Sequence, residues 1–196
     1  MGLTVLGLAG SARRGGNTET LLDWCLGAAR SAGATVVKFR LCELDLHGCR
    51  ACESCSRDGK CVVTDDMQLL YPYLESADAI VLAAPTYFQG MPAVPKMMID
   101  RCQPFWALKY VLKRPLASER RRERRGAFLS CAGTRTARAF AGSLLVVHTL
   151  WHVLDVKPVG ELTYAGVDAK GDIWKQPGAQ EAAEAIGWQL AQENTK

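Results

Sequence analysis

Long apolar runs are missing from this sequence. No stretch approaches the roughly 20 apolar residues that a membrane-crossing helix requires. The N-terminal apolar stretch comes before Arg13 and Arg14, which reverses the charge order of a secretory signal. We therefore expect a cytoplasmic protein with no membrane partner, and thiols in that compartment stay reduced.

An extended basic surface is missing as well. The net charge is +4, and residues 119–125, with five arginines and two glutamates, account for +3 of it. A nucleic-acid interface needs a basic face or groove that makes many contacts, and a patch this confined does not provide one. We expect no nucleic-acid partner and interpret the run as a solvated turn, with a phosphate or partner site as the alternative.

Cysteine is abundant, with eight residues in a chain of 196. Because thiols stay reduced in the expected compartment, this number indicates a metal, a cluster or redox chemistry before it indicates disulfides. Hydrophobic residues make up 48% of the chain and charged residues 22%, which is usual for a globular protein. We predict a single domain over residues 1–196, long enough to bury a core without crosslinks.

Short apolar or β-branched runs alternate with segments of helical periodicity, which predicts alternating strands and helices. The predicted strands are 4–9, 35–41, 79–84, 127–131 and 156–164, and the predicted helices are 18–32, one capped by Thr64, 93–103, 137–152 and 178–192. Such βα units with right-handed crossovers form an open parallel sheet covered on both faces. The fifth strand should lie at an edge, because Pro158 cannot donate a ladder hydrogen bond. A cysteine-rich loop at about 42–63 and an irregular excursion at about 104–125 interrupt the pattern.

The loop after the first predicted strand, residues 10–18, is small, rich in glycine and leads directly into a helix. Ligands bind such sheets beyond the carboxyl ends of the strands, where the strand order reverses. Glycines let the backbone approach an anion, and a helix N-terminus supplies unpaired N–H groups with positive potential. The loop therefore predicts a phosphate site, although it has neither a P-loop ending nor a G-x-G-x-x-G pattern. An ordinary glycine-rich turn is the alternative.

Two further strand-end loops suit a flat ring. Residues 85–92 contain two adjacent aromatic residues and two prolines, which form a stiff apolar wall. A purely structural aromatic loop is the alternative there. Residues 131–135 are small and include a glycine, so a ligand can lie close to the backbone. Together the three loops require a ligand with one phosphate end and one flat aromatic end, and FMN fits that description.

Four cysteines, Cys49, Cys52, Cys55 and Cys61, lie within a run of 13 residues. Three of them are separated by two residues each, and this spacing lets a short backbone wrap an iron–sulfur cubane. Zinc usually takes its ligands from two separated knuckles, for which this run leaves little room. We predict a [4Fe–4S] cluster, with zinc and free or redox-active thiols as the alternatives.

The remaining cysteines and a nearby histidine have less specific surroundings. Cys25 and Cys102 fall in helical apolar patterns and are predicted to lie in the core. Cys131 ends a predicted strand beside the expected ligand, where a packing role is favoured over a reactive thiol. His47, although close to the four cysteines, is predicted to be a surface residue rather than a ligand.

Three groups of residues form a recognisable pattern. They are Gly10-Ser11-x-Arg13-x2-Gly16-Asn17-Thr18, the four-cysteine motif leading into Asp65-Asp66-Met67, and Pro85-Thr86-Tyr87-Phe88 with Lys96 and Ile99-Asp100-Arg101 downstream. Together they closely resemble the iron–sulfur flavoprotein branch of the NAD(P)H-dependent FMN reductase family. The resemblance is specific from residue 3 to about residue 103 and looser from there to the end.

This resemblance implies a flavodoxin-like α/β fold, a doubly wound five-stranded parallel sheet in the order 2-1-3-4-5 with helices on both faces. It also implies bound FMN, a [4Fe–4S] cluster near a flavin at a subunit interface, and a homodimer or homotetramer. The residues implied at the FMN phosphate are Ser11, Arg13, Asn17 and Thr18, with Gly16 in the same loop. Those implied along the flavin are Pro85, Thr86, Tyr87, Phe88 and Gly90, with Gly133 and Thr134 on its other side.

Taken together, these features predict an oxidoreductase that links a one-electron donor such as a ferredoxin to a small acceptor such as a quinone or an oxygen species. No His, Asp or Ser constellation indicates a catalytic group beyond the cofactors. The first alternative is an NAD(P)H-dependent flavin or quinone reductase, in which FMN takes a hydride and the cysteines are secondary. The second alternative is a non-catalytic redox sensor or a zinc-stabilised interaction module.

Overall fold

The computed structural model describes residues 2–116 and 123–192. Within them the strands are β1 (Thr4–Ala9), β2 (Thr35–Arg40), β3 (Ala79–Ala83), β4 (Arg124–Ala132) and β5 (Val156–Ala165). The α-helices are α1 (Asn17–Ser31), α2 (Cys55–Asp58), α3 (Met67–Ser76), α4 (Ala93–Asp100), α5 (Gln103–Trp106), α6 (Ala141–Val153) and α7 (Ala179–Leu190). Of the basic run at 119–125, positions 119–122 lie outside the described residues, while Arg124 and Arg125 belong to β4, so the interpretation as a solvated turn is wrong for these two.

The strands form one parallel sheet in the order β2-β1-β3-β4-β5. This is the predicted flavodoxin-like order. The chain runs from β1 outward to β2 and then returns to place β3 on the other side of β1. The loops after β1 and β3 therefore diverge at neighbouring strand ends, and a cleft opens between them.

The central strand β3 separates two apolar layers, and every residue in it is buried. Ala79, Val81 and Ala83 belong to the layer that α1 and α7 cover. Ile80 and Leu82 point to the opposite layer, which α3, α4 and α6 cover. This alternation follows from the two-residue side-chain period of a strand, and burial on both faces explains its uniformly apolar sequence.

The outer strand β5 confirms the predicted edge position. Pro158 pairs with Gly126 of β4, and the register then shifts so that Ala127 faces Gly160. The shift is the irregularity expected where a proline cannot donate to the ladder.

Strand β4 begins at Arg124, three residues before the predicted start at Ala127. The sequence did not indicate this earlier start, because a charged residue such as arginine is usually exposed. Arg124 is instead buried. Its guanidinium donates hydrogen bonds to the carbonyl oxygens of Ala77 (3.0 Å), Leu154 (2.7 Å) and Leu74 (2.6 Å). These bonds tie the ends of α3 and α6 to the strand, which is how a buried charge is accommodated.

Two helix predictions differ from the structure. Thr64 does not cap α3, which begins at Met67, whose N–H donates to Asp65 Oδ1 at 3.1 Å. The predicted helix at 93–103 is divided into α4 and α5, because Pro104 has no N–H with which to continue the hydrogen bonding of α4. Residues Ala107–Val111 then continue α5 as a short π-helix. A membrane-crossing helix is absent from the described part of the chain.

Candidate functional site

The carboxyl ends of β1, β3 and β4 surround a small cleft, called here the strand-end cleft. Its lining includes most of the predicted cofactor-binding residues, namely Ser11, Arg13, Gly16, Asn17, Thr18, Pro85, Thr86, Tyr87 and Gly133. Cys131, Val167 and Asp168 complete the lining. Val167 and Asp168 belong to the loop after β5, which sequence reasoning did not assign to the site, although Gly166 and Gly171 and its place at a strand end were signals that could have found it. Phe88, Gly90 and Thr134 do not belong to the lining.

The enclosed part of the strand-end cleft measures about 60 Å³. Pockets that bury a whole drug-sized ligand typically measure about 300–1,000 Å³. Two glycines allow its walls to pack closely, since a Cβ at Gly16 would lie 3.0 Å from the Arg13 carbonyl oxygen and one at Gly133 would lie 3.0 Å from Asp168 Cγ. This volume suits a small polar group such as a phosphate.

The donors around this cleft fit an anion. The first turn of α1 leaves N–H groups without acceptors inside the helix, at its positive end. Ser11 Oγ accepts a hydrogen bond from the Arg13 N–H at 3.2 Å, so its own hydroxyl hydrogen is available to a ligand. Lys170 Nζ lies 3.5 Å from the position that a Cβ would take at Gly15. Two cations, Arg13 and Lys170, therefore flank the loop of residues 10–18, called here the phosphate loop.

Asn17 has a role that sequence reasoning did not predict. Its Nδ2 donates to the Ala169 carbonyl at 2.9 Å, and its Oδ1 accepts from the N–H groups of Gly171 (3.0 Å) and Ile173 (3.4 Å). Arg13 Nη1 makes a parallel contact with the Asp168 carbonyl at 2.9 Å. The Asn17 side chain thus joins the start of α1 to the loop after β5, and only its backbone N–H remains for a phosphate.

The Glu19 side chain stabilises the conformation of the phosphate loop. Its carboxylate accepts a hydrogen bond from the Gly15 N–H at 2.8 Å and pairs with Lys38 Nζ at 2.8 Å and Arg40 Nε at 3.0 Å. Burial opposes ionisation of this group, but the bonds from Lys38 and Gly15 outweigh it and hold the pKa of Glu19 below its ordinary value. The sequence carried a signal for this contact, because Glu19 stands three residues after the N-cap Gly16, as in a capping box.

The stability contributed by ionised Glu19 should disappear at acid pH. Its pKa is lowered from 4.5 in the folded state, so the unfolded chain takes up this proton at a higher pH than the folded chain does. The contribution is complete above the ordinary pKa and is lost as the pH falls through the lowered value. Urea unfolding between about pH 7 and about pH 3 should show the difference between the native chain and Glu19→Gln shrinking over that window. A difference that is independent of pH would contradict this.

The aromatic loop after β3 ends in a tight reversal. Tyr87 and Gly90 exchange two backbone hydrogen bonds of 2.9 and 3.0 Å. The two residues between them, Phe88 and Gln89, have φ values of 50° and 60°. A turn with two left-handed central residues usually contains glycine or asparagine, so this one is strained. Phe88 is fully exposed at its tip, and the prediction that it lines a flavin stays a prediction.

The four clustered cysteines line a second cavity of about 490 Å³, called here the cysteine cavity. Its other walls include Arg101, Gln103, Pro104, Trp106 and Val111, which come from the end of α4, from α5 and from the π-helix. A Cβ at Gly59 would lie 2.5 Å from the Leu108 side chain, so the loop packs directly against the π-helix. One wall of this cavity is therefore supplied by Pro104, Trp106 and Val111, from the described part of the predicted excursion at 104–125.

The backbone between the cysteines adopts unusual conformations. Ala51 and Glu53 have φ values of 50° and 56°, in the region that non-glycine residues rarely adopt. Hydrogen bonds from the Ser54 hydroxyl and backbone lower the pKa of the exposed Cys52 thiol. Burial raises the pKa of Cys55, and the charges of Cys61, Cys49 and Cys52 raise it further. The four thiols are thus close enough to influence one another, although no three His, Cys, Asp or Glu side chains of the described residues form a metal-binding group.

Cys25, Cys102, Cys131 and His47 lie where the sequence predicts. Cys25 and Cys102 are buried in the core, and His47 is exposed. Cys131 is buried at the strand-end cleft. Burial raises the pKa of these three thiols to about 12, so all three are protonated at neutral pH. Cys131 therefore presents a neutral thiol to the cleft.

Residues 3–170 match the family of NADPH-dependent FMN reductases. The match covers well over half of the chain and includes both walls of the strand-end cleft. The fold and the cleft define the class of the protein, a flavin-dependent oxidoreductase with a flavodoxin-like fold. The chain belongs to the NADPH-dependent FMN reductase family, and this membership supports FMN as its flavin.

Two curated relatives are iron–sulfur flavoproteins. The one from Methanocaldococcus jannaschii is 35% identical over 102 residues, which are 52% of this chain and 53% of that protein. The one from Methanosarcina thermophila is 27% identical over 194 residues, which are 99% of this chain and 92% of that protein. The chain thus matches about half the length of the first relative and nearly all of the second. The family resemblance seen in the sequence is confirmed.

Solved structures share the fold at low sequence identity. A flavone reductase superposes with a TM-score of 0.71 at 18% identity, over 96% of this chain and 62% of that one. An NAD(P)H:quinone oxidoreductase from Methanothermobacter marburgensis superposes with a TM-score of 0.66 at 18% identity, over 99% of this chain and 98% of that one. At these identities the likeness establishes the fold alone.

Proposed function

We propose that this chain is an oxidoreductase that holds FMN in the strand-end cleft and a [4Fe–4S] cluster on Cys49, Cys52, Cys55 and Cys61. It would pass electrons between a one-electron donor resembling a ferredoxin and a small acceptor. The observation that carries the proposal is that all four cysteines line one cavity. The names of the two curated relatives support the same conclusion. Because such thiols need reducing conditions, we propose a cytoplasmic location. We also propose that the chain forms a homodimer or homotetramer.

The residues fit both groups in their chemistry. Four thiols are the ligand set of a [4Fe–4S] cluster, and the left-handed residues Ala51 and Glu53 bend the backbone around the cavity that they line. The cleft offers helix N–H groups, the Arg13 guanidinium and the Ser11 hydroxyl to a phosphate. When bound, a cluster exchanges one electron at a time and a flavin one or two, which would link a one-electron donor to a two-electron acceptor.

The chain's own residues would position the two groups and control their surroundings. The neutral Cys131 thiol adds no charge to the strand-end cleft, whereas Asp168 adds a carboxylate beside Gly133. At the cysteine cavity, Trp106 and Val111 cover one side and remain partly exposed. These two apolar side chains would limit the access of water to the thiols.

The test is a pair of cysteine variants compared after purification without oxygen. The native chain should contain about four irons and four sulfides beside one FMN. The double variant Cys52→Ser/Cys55→Ser should lose the iron and the reduction by ferredoxin, yet keep FMN, because the strand-end cleft is built from other loops. Cys42→Ser is the matched control, since Cys42 lies outside the cysteine cavity, and it should keep its iron. Coupling to ferredoxin that survives in the double variant would refute the proposal.

A second candidate is an NAD(P)H-dependent flavin or quinone reductase without an essential cluster. The family match favours it, and so does the finding that no three His, Cys, Asp or Glu side chains of the described residues form a metal-binding group. Rapid bleaching of the flavin by NADPH or NADH without oxygen, in a chain that contains no iron, would establish this function instead. Stoichiometric zinc without flavin would point to an interaction module or redox sensor.

A further inference from the structure

Arg101 is one of the largest fully buried side chains in the described structure, although it carries a charge. It belongs to the wall of the cysteine cavity, where the other charged residues, Arg50 and Glu53, are exposed. A buried charge is retained only where its surroundings compensate the cost of removing it from water. The groups that surround the Arg101 guanidinium therefore indicate which kind of ligand the cavity binds.

The two terminal nitrogen atoms of the Arg101 guanidinium, Nη1 and Nη2, each donate two hydrogen bonds. Its Nη1 donates to Asp65 Oδ2 at 2.6 Å and to the His47 carbonyl at 2.9 Å. Its Nη2 donates to Asp65 Oδ1 at 3.1 Å and to the Val63 carbonyl at 3.3 Å. The Asp65 side chain is completely buried and does not belong to the cavity wall. The carboxylate thus stands behind the arginine, and the positive member of the pair is the one that reaches the cavity.

The Nε–H group of Arg101 is buried and has no hydrogen-bond acceptor among the described residues. An unpartnered charged donor in the interior is costly unless a ligand supplies the acceptor. The nearby Tyr71 hydroxyl donates to the Arg101 carbonyl at 2.9 Å. Burial would lower the pKa of Arg101, but the hydrogen bond to Asp65 raises it, so the group stays ionised.

We propose, on the basis of the function proposed above, that Arg101 is a positioning residue that raises the reduction potential of a cluster held by the four cysteines. A cluster held by these four thiolates would become more negative by one charge when a one-electron donor reduced it. A fixed positive charge at the cavity wall stabilises that more negative state. Net charge and hydrogen bonds to sulfur are among the established determinants of cluster potentials. Arg101 would thereby set which one-electron donors can reduce this protein.

The test is a redox titration of the complete protein without oxygen, followed by the electron paramagnetic resonance signal of the reduced cluster. Arg101→Gln removes the charge and should shift the midpoint potential downward by at least about 59 mV, a tenfold change in the ratio of reduced to oxidised cluster. Arg101→Lys keeps the charge but cannot form the two-pronged pair with Asp65, and it should stay close to the native potential. Arg30→Gln removes an equal charge from an exposed position and should shift nothing.

The outcomes separate this inference from the proposed function. A native chain without iron would overturn the proposed function itself. If the native chain contains iron but Arg101→Gln has the same midpoint potential, only the role of Arg101 would be overturned. If Arg101→Gln fails to fold or to take up iron, Asp65→Asn decides, because removal of the opposing charge should raise the potential. An Asp65→Asn protein that retains its cluster at the native potential would also overturn the inference.

Discussion

Replacing Asn17 with alanine should weaken FMN binding about 100-fold and lower the free energy of unfolding by about 2–3 kcal/mol. The substitution deprives the Ala169 carbonyl and the N–H groups of Gly171 and Ile173 of their partner. Backbone groups left unpaired in a part-buried place each carry a desolvation cost. The loop after β5 would separate from the start of α1, and the strand-end cleft would lose the wall that contains Val167 and Asp168.

Fluorescence titration of the flavin-free protein with FMN and urea unfolding would measure the two effects. Thr20→Val is the matched control, because Thr20 lies one turn further along α1 and, within residues 2–116 and 123–192, its hydroxyl bonds only to the Gly16 carbonyl of the same helix, at 3.1 Å. It should change FMN affinity by less than about threefold. An Asn17→Ala protein that binds FMN as tightly as the Thr20→Val protein would show that the loop after β5 does not shape the cleft.

Gly187→Ala should destabilise the protein by about 3 kcal/mol, the upper part of the usual range for overpacking. A Cβ at Gly187 would lie 2.0 Å from the Cys25 carbonyl oxygen and 2.9 Å from Ala28 Cβ. The nearest of these atoms belongs to the backbone of α1, so no side chain can move aside and the two helices must separate. Since the N-terminus of α1 is the proposed phosphate site, weaker FMN binding should accompany the loss of stability.

Gly27→Ala should have the opposite effect on stability from Gly187→Ala. Gly27 also lies inside α1, but nothing is within 4 Å of the place that its Cβ would take. The substitution should stabilise the protein by about 0.5–1 kcal/mol, because alanine loses less backbone entropy than glycine when a helix forms. Urea unfolding of the two variants should give shifts of opposite sign. Shifts of the same sign would mean that close packing at Gly187 is not what separates them.

Much of the fold was predictable because it depends on local chemistry. Uniformly apolar β3, the glycine-rich loop before α1 and Pro158 at the edge are features that hold wherever the segments lie in space. The missed details involve polar residues whose partners are distant in the chain. Arg124 concealed the start of β4, since the carbonyls that accept from it belong to residues about 30 to 50 positions away.

The sequence by itself determined the alternation of strands and helices, the glycine-rich loop before α1 and the grouping of Cys49, Cys52, Cys55 and Cys61, whereas the strand order was expected from the family resemblance. Spacing along a chain is sufficient for the first three of these, because glycines, helix starts and clustered thiols act through near neighbours. Only the tertiary structure decided that Asn17 holds the loop after β5 and that Arg101 stands at the wall of the cysteine cavity. Burial and pairing with distant residues determine what a charged or polar side chain does, and a sequence does not display either one.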